Sequence, residues 1–235
     1  MTTTLPIAET FDSIQGEGSL MGIPSFFIRT AGCNLRCTWC DTPYASWEVS
    51  GDQRSVASLV EEVQRSGRKH VVLTGGEPLM FAGVVELNDA LRQLGCHVTV
   101  ETAGTLDLPL VCDLLSCSPK LSNSTPTNDS RDPSGQLAIR HESRRWRPEI
   151  LSKLIHQSVR TQWKFVVSSP QDLPEIDQML AEVPPDRPED VFLMPEGVTV
   201  PKAESTRWIV ELCEERGWRF GQRLHIALFG NTRGT

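Results

Sequence analysis

Three cysteines near the start of the chain have a spacing that suits a shared metal centre. Cys33, Cys37 and Cys40 lie within eight residues, in a loop that follows a short apolar segment. Thiolates bind zinc and iron–sulfur clusters, and a Cys-x3-Cys-x2-Cys spacing lets three of them converge on one centre. A structural zinc site or an ordinary [4Fe–4S] cluster takes a fourth protein ligand, which a distant Cys or His would have to supply. If the chain supplies only three, one iron of a cluster is open to another molecule.

The remaining cysteines are scattered through apolar segments, at positions 96, 112, 117 and 213. The total of seven is odd, and the first residues lack a basic region followed by an apolar stretch. Both observations argue against a secreted protein with a disulfide framework. Free cysteine is among the most buried residue types. We therefore expect the scattered cysteines to pack in the core and the clustered three to carry chemistry.

A second polar motif, Thr-Gly-Gly-Glu-Pro, occupies residues 74–78 directly after the apolar run His70–Leu73. The two glycines allow the backbone to approach a ligand closely. The carboxylate of Glu77 can accept hydrogen bonds from an ammonium group, and Pro78 suits the first position of a helix. The motif predicts a ligand-binding turn between a strand and a helix, and an ordinary strand–helix turn is the alternative.

Composition narrows the class of protein further. The chain has 235 residues, of which 39% are hydrophobic, and a formal net charge of −7. The acidic balance argues against a general nucleic-acid or membrane-surface binder. No apolar run approaches the roughly 20 residues of a membrane span. We expect a cytoplasmic protein with neither a nucleic-acid nor a membrane partner.

Strands and helices alternate along the chain, which predicts a parallel sheet covered by helices in one α/β domain, residues 1–235. The predicted strands are 25–29, 70–73, 97–100, 110–117, 162–167, 191–194 and 224–229. The predicted helices follow Ser55 as far as Gly67 and include 84–94, 150–155, 173–183 and 208–213. Residues 122–147 break the alternation, because they are rich in Ser, Thr, Asn, Asp, Pro and Arg, and we expect a surface insertion there.

The two motifs together resemble those of the radical S-adenosylmethionine (radical SAM) superfamily. The cysteine spacing is that of its cluster motif, with an aromatic residue, Trp39, before the last cysteine. The motif at residues 74–78 is similar to the one that holds the amino group of SAM. The resemblance implies a [4Fe–4S] cluster on the three cysteines, with SAM on the fourth iron and cleaved by one electron to a 5′-deoxyadenosyl radical. It also implies an incomplete TIM-like barrel of about six βα units.

Within the superfamily the sequence resembles the 7-carboxy-7-deazaguanine synthase family. The resemblance rests on Gln15-Gly-Glu-Gly18 before the first predicted strand, Arg29 at its end and Asp41-Thr42 after the last cysteine. It is close over the first third of the chain and recurs in patches at 101–104, 118–120, 164–166, 194–197 and 224–226. It implies a carbon–nitrogen lyase that converts 6-carboxy-5,6,7,8-tetrahydropterin to 7-carboxy-7-deazaguanine with loss of ammonia, in queuosine and deazapurine biosynthesis. SAM would be regenerated, and Mg²⁺ would be required.

The resemblance also assigns roles to individual residues. The residues assigned to the pterin substrate are Ile14, Gln15, Gly16, Glu17, Arg29, Thr74 and His225. The residues assigned to SAM are Trp39, Cys40, Asp41, Gly76, Glu77, Ser118, Pro119, Lys120, Met194, Pro195, Glu196 and Gly197. The catalytic set is Cys33, Cys37, Cys40, Arg29 and Glu17, and the metal ligands are the three cysteines and, for Mg²⁺, Thr42.

Two of these assignments have structural alternatives. The forked guanidinium of Arg29 suits a substrate carboxylate, but a structural ion pair inside the barrel would use it equally well. His225 lies on a predicted strand, where a lone histidine is commonly a core residue. The family's Glu-Thr-Asn-Gly reads Glu-Thr-Ala-Gly here, so the side chain of Ala103 makes no hydrogen bond, and residues 230–235 extend beyond the end of some family members.

The implied partners are the small pterin, a reductant protein such as flavodoxin or ferredoxin, and a second copy of the chain in a homodimer. One alternative is a glycyl-radical-enzyme activase of the same superfamily, which would not need Gln15–Gly18 or Arg29. Another is a non-catalytic zinc- or cluster-binding module, which predicts a fourth protein ligand and no SAM site.

Overall fold

The computed structural model describes residues 2–235, which form nine strands and eight α-helices. The strands are β1 (Thr4–Ile14), β2 (Pro24–Thr30), β3 (Asp52–Ser55), β4 (His70–Gly75), β5 (His97–Thr102), β6 (Leu114–Cys117), β7 (Thr161–Val167), β8 (Val191–Pro195) and β9 (Arg219–Phe220). The helices are α1 (Pro43–Ser46), α2 (Val56–Ser66), α3 (Gly83–Gln93), α4 (Gln136–Glu142), α5 (Pro148–Gln157), α6 (Leu173–Glu182), α7 (Ala203–Arg216) and α8 (Leu224–Phe229).

All nine strands belong to one sheet with the order β3-β1-β2-β4-β5-β6-β7-β8-β9. Strands β2 and β4 to β9 run parallel to one another, whereas β1 is antiparallel to both β2 and β3. Over the described residues the sheet ends at β3 on one side and β9 on the other, so the barrel is not closed. This topology confirms the predicted α/β class and the incomplete barrel. Since parallel strands end at the same edge, the loops that follow them meet there.

Helix α2 illustrates how local signals in the sequence determine an element. The Ser55 hydroxyl accepts a hydrogen bond from the Ser58 amide over 3.1 Å, which caps the first turn. Gly67 adopts a left-handed conformation with φ of +68° and ends the helix. Leu59 and Val63 on the apolar face are buried against the sheet. The boundaries predicted for this helix are confirmed.

The segment 224–229 was predicted as a strand and is instead the helix α8. Over six residues the apolar positions fit both the two-residue period of a strand and the 3.6-residue period of a helix. A strand at 224–229 would have to pair with β8, and β9 already occupies that position. Strand β1 was not predicted, because it contains Pro6 and has no regular alternation. Strand β6 begins at Leu114 rather than at the predicted position 110.

Residues 122–147 contain a 3₁₀ turn, Ser122–Ser124, and helix α4. Several of their polar side chains are nevertheless buried, including those of Asp132 and His141. Their description as a surface insertion within a single domain stays a prediction, and position 1 of that domain lies outside the described residues. None of the helices described in residues 2–235 has the length and apolar character needed to cross a membrane.

Candidate active site

A cavity of about 470 Å³ opens at the edge of the sheet where the parallel strands end. Its walls come from the cysteine loop after β2, from the ends of β4 and β5, and from β7 and β8. Helix α8 and residues 231–235 close one side. Folds with parallel strands bind ligands at this edge, because the loops there converge on one space.

Cys33, Cys37 and Cys40 all line this cavity. Burial raises the pKa of the Cys33 thiol to about 12, and burial raises that of Cys37 as well. Binding of a metal would therefore have to release the protons of both thiols. The four scattered cysteines are buried in the core, as predicted, and none is among the lining residues.

The donor set of this cavity includes three thiols, the number that holds a [4Fe–4S] cluster with one iron left open. Within residues 2–235, no group of three or more His, Cys, Asp or Glu side chains is arranged to hold one metal ion. A zinc ion would require every thiolate at about 2.3 Å from a common centre. A [4Fe–4S] cluster binds each thiolate at a different iron, so its ligands stand further apart. Three cysteines on one cavity wall, without a fourth, suit a cluster whose last iron is open.

The backbone of the cysteine loop is fixed by its own side chains. Arg36 donates through Nη1 to the carbonyl oxygens of Cys33 and Leu35, both over 2.7 Å. Trp47 donates through Nε1 to the carbonyl oxygen of Cys37 over 3.0 Å. Leu35 is buried, which anchors the loop against the core. These contacts fix the backbone of the loop, and all three of its cysteines line the cavity.

Of the residues predicted to bind SAM, seven line the cavity: Trp39, Cys40, Asp41, Gly76, Ser118, Lys120 and Met194. The others do not line it: Glu77, Pro119, Pro195, Glu196 and Gly197. Lys120 donates to the carbonyl oxygen and the hydroxyl of Ser118 over 2.7 and 2.8 Å. Its Nζ also lies 5.9 Å from the centre of the Trp39 ring, so the cation is placed over an aromatic face beside the cysteines.

Glu77 is buried, and its carboxylate is occupied by protein groups. It accepts from the amide of Ala103 and the hydroxyl of Thr102, both over 2.8 Å, and from the amide of Leu79 over 3.1 Å. Burial raises its pKa, although these hydrogen bonds oppose the shift. The side chain thereby joins the ends of β4 and β5, and its contact with SAM stays a prediction.

Gly76 is required for packing as much as for any ligand. A Cβ atom at this position would lie 2.3 Å from the carbonyl oxygen of Gly32 and 2.4 Å from that of Ala45. Because both neighbours are backbone atoms, neither can move aside cheaply. The glycine thus lets the end of β4 pack directly against the cysteine loop.

All residues predicted to bind the substrate line the cavity: Ile14, Gln15, Gly16, Glu17, Arg29, Thr74 and His225. The ring of His225 lies against Gly16, where a Cβ atom would be only 1.9 Å from its Nδ1. Burial lowers the pKa of His225, although Glu17 and Asp41 oppose the shift. His225 thus reaches the cavity from a helix and not from the predicted strand.

An ion network on the cavity wall was missed by the sequence analysis. Lys164, whose side chain is 4% exposed, donates to Glu17 over 2.8 Å and to Glu101 over 3.1 Å. Glu101 also accepts from Thr74 over 3.2 Å and from Gln15 over 3.4 Å. Both missed residues belong to patches that carry the resemblance, and a lysine within an apolar strand was the signal that could have identified them.

The network keeps the carboxylate of Glu17 ionised. Burial disfavours the charged form of Glu17, but the charges of Lys164 and Arg223 outweigh it and lower its pKa to about 2. Burial likewise favours a neutral Lys164, and Glu101 and Glu17 overcome it and raise its pKa. The cavity wall therefore presents fixed negative charge next to a fixed ammonium group.

Arg29 forms the ion pair that was considered as its alternative role. Its Nε donates to Glu9 over 2.7 Å, and the same carboxylate accepts from the Tyr44 hydroxyl over 2.6 Å and from Arg233 over 3.0 Å. Among residues 2–235 the terminal nitrogens of Arg29 have no hydrogen-bond partner. Glu9 thus orients the guanidinium, while its fork remains available to a ligand.

Thr42 lies on the cavity wall at the N-cap of α1, but its side chain makes no capping hydrogen bond. Its hydroxyl oxygen is 3.8 Å from the sulfur of Cys40. The oxygen is therefore available to a hard cation at the border between the cysteines and the substrate-facing residues.

Comparisons with known proteins agree with this geometry. The model of the radical SAM superfamily matches residues 27–120. A 7-carboxy-7-deazaguanine synthase from Rhodopirellula baltica is 49% identical over 99% of this chain and 90% of its own length. The enzyme of that name from Halobacterium salinarum is 46% identical over 98% of this chain and 93% of its own. The crystal structure of QueE from Escherichia coli superposes with a TM-score of 0.70 at 27% identity, covering 94% of this chain and 95% of that one.

Proposed function

The chain belongs to the 7-carboxy-7-deazaguanine synthase family of radical SAM enzymes, and we propose that it makes 7-carboxy-7-deazaguanine from 6-carboxy-5,6,7,8-tetrahydropterin with loss of ammonia. It is thus a lyase of deazapurine biosynthesis. The observation that carries the reaction is one cavity lined both by the cysteine triplet and by residues 15–17, which follow β1. A single space of this kind brings cofactor and substrate together.

A [4Fe–4S] cluster and SAM are the cofactors of the superfamily, and when bound they supply the radical chemistry. Cys33, Cys37 and Cys40 hold the cluster and leave one iron for SAM. Lys120 and Trp39 border the SAM side of the cavity. These residues bind and orient their ligands.

The substrate is held at two ends. Arg29, oriented by Glu9, pairs with its carboxylate through the free fork of the guanidinium. Gln15 and the ionised Glu17 meet the edge of the pterin, whose N–H groups suit carboxylate acceptors. Lys164 fixes Glu17 in place and keeps it charged.

We further propose that Mg²⁺ binds the hydroxyl of Thr42 and completes its shell with oxygens of the substrate. A reductant protein such as flavodoxin or ferredoxin supplies the electron, and two copies of the chain form a homodimer. These three proposals rest on the family resemblance. The Mg²⁺ site is also supported by the hydroxyl of Thr42, which makes no capping hydrogen bond to helix α1.

Anaerobic reconstitution with iron and sulfide, followed by turnover of carboxytetrahydropterin with SAM, Mg²⁺ and dithionite, tests the proposal. We expect the deazapurine to accumulate while SAM is not consumed in proportion. A reconstituted protein that cleaves SAM without forming the deazapurine would refute the substrate assignment. An activase of glycyl-radical enzymes would behave in that way.

A further inference from the structure

Residues 122–147 contact the cysteine loop on both sides of Cys37. The amide of Arg36 donates to Nδ1 of His141 over 3.1 Å, across 105 positions of the chain. The amide of Thr38 donates to the carbonyl oxygen of Ser124 over 2.8 Å. The backbone amides of the two residues next to the middle cysteine in sequence are therefore held by a segment outside the regular βα alternation.

One chain of hydrogen bonds fixes the state of His141. Because Nδ1 accepts from Arg36, the ring proton lies on Nε2, which donates to the Ser124 hydroxyl over 2.9 Å. That hydroxyl donates in turn to the carbonyl oxygen of Leu121 over 2.6 Å. His141 is 1% exposed and Ser124 fully buried, so water does not compete for these hydrogen bonds. An imidazole placed in this way connects the two segments with a defined geometry.

Further contacts of the same segment stabilise the outer side of the loop. Trp39 donates through Nε1 to the carbonyl oxygen of Asn123 over 3.1 Å. Arg131 donates to the carbonyl oxygen of Thr38 over 2.8 Å and lies 3.9 Å from the centre of the Trp47 ring. Every residue of the stretch from 36 to 39 except the cysteine is thus bound by residues 122–147.

The segment that holds the loop is itself anchored to the barrel. Arg145, which follows α4, donates to Glu175 at the start of α6 over 2.5 Å and to the carbonyl oxygen of Lys120 over 3.1 Å. The carboxylate of Asp132 accepts from the amide of Ala138 over 2.9 Å and steadies the first turn of α4. His141 therefore acts from a fixed position and not from a free surface loop.

We propose that His141 is a positioning residue that, with Ser124, holds the backbone around Cys37 in the conformation that receives the cluster. The inference rests on the proposed function for the identity of the cluster, but its geometry exists in the metal-free chain. The role given to residues 122–147 is thus to form the outer wall of the cluster site.

Substitutions at position 141 separate the two contacts of the ring. The side-chain oxygen of His141→Asn can take the place of Nδ1, whereas the amide nitrogen of His141→Gln can take the place of Nε2. His141→Phe keeps the ring and loses both contacts. His156→Asn, on the exposed face of α5, is the matched control.

Hydrogen exchange at residues 36 and 38 of the full-length, metal-free protein is the first readout. We expect about tenfold faster exchange in His141→Phe, a smaller change in His141→Asn, and wild-type exchange in the His156 control. The second readout is the reconstituted protein, where we expect His141→Phe to lose its cluster to a chelator about tenfold faster and to alter the electron paramagnetic resonance of the reduced cluster.

Unchanged amide exchange and unchanged cluster lifetime in His141→Phe would overturn the inference. Equal increases of the exchange rate at residue 36 in His141→Asn and His141→Phe would also overturn it. If His141→Phe does not fold, the contrast between the Asn and Gln variants decides in the same way. Because exchange is measured without cluster or substrate, a failure of the proposed reaction leaves this result intact, and the two failures are distinguishable.

Discussion

Lys164 donates a hydrogen bond to Glu17 over 2.8 Å, although the two residues are 147 positions apart. The lysine lies on β7, near the far end of the parallel sheet, whereas Glu17 follows β1 on the other side of the cavity. A single buried ion pair therefore ties the two halves of the cavity wall together, and it also contacts Glu101. Breaking such a pair leaves an uncompensated buried charge.

Replacing Lys164 by Met should lower kcat/KM about a hundredfold or more, because Glu17 and Glu101 lose their fixed cation and shift position. The measurement is steady-state turnover of the pterin by reconstituted enzyme. Lys153→Met is the control, since Lys153 pairs with Asp107 on the surface and both side chains are well exposed. Similar losses in the two variants would show that the network has no special role.

The stability of the folded chain should depend on the ionisation of Glu17. Its pKa is about 2 in the folded protein against an ordinary value of 4.5, so the folded state favours the charged form. The stabilisation from this group is full above about pH 4.5 and is lost as the pH falls toward 2. Urea unfolding at about pH 6 and about pH 3 should therefore show a larger drop in unfolding free energy for the wild type than for Glu17→Gln. An identical drop in unfolding free energy for the two proteins would mean that the ion pair with Lys164 does not lower the pKa of Glu17.

Elements with complete local signals could be predicted from the sequence. Helix α2 has its cap at Ser55, its apolar face and its final Gly67 within one short stretch of sequence, so its bounds follow from the chain itself. Helix α8 could not be assigned in this way, because six residues fit a period of two or of 3.6, and what decides between them is the place already occupied by β9.

The residues of the candidate site differ in the same way, because some follow from local sequence signals and others depend on distant parts of the chain. The cysteine triplet is local in sequence, and its members do share the cavity wall. Lys164 and His141 act on residues more than 100 positions away, and the identity of those partners does not follow from the surrounding residues. Pairing of this kind is set by the tertiary fold, so a single sequence does not reveal it.

Replacing Cys37 by Ala should abolish the cluster, because the remaining thiols can hold no more than two irons of the cube in place. Iron and sulfide analysis after anaerobic reconstitution should give about four irons per wild-type chain and less than about one for the variant. Cys96→Ala is the matched control, since Cys96 is also buried but lies away from the cavity. A full cluster in Cys37→Ala would contradict the assignment of this ligand.

Arg29→Lys should raise KM for the pterin about tenfold or more and change kcat much less, because an ammonium group cannot replace the fork that meets the substrate carboxylate. Glu9→Gln should act in the same direction, since Glu9 is the group that orients Arg29 over 2.7 Å. The control is Arg68→Lys, whose ion pair with Asp12 is exposed. For a substrate analogue that lacks the carboxylate, wild type and Arg29→Lys should bind equally weakly. If the analogue still distinguishes the two proteins, Arg29 contacts another part of the substrate.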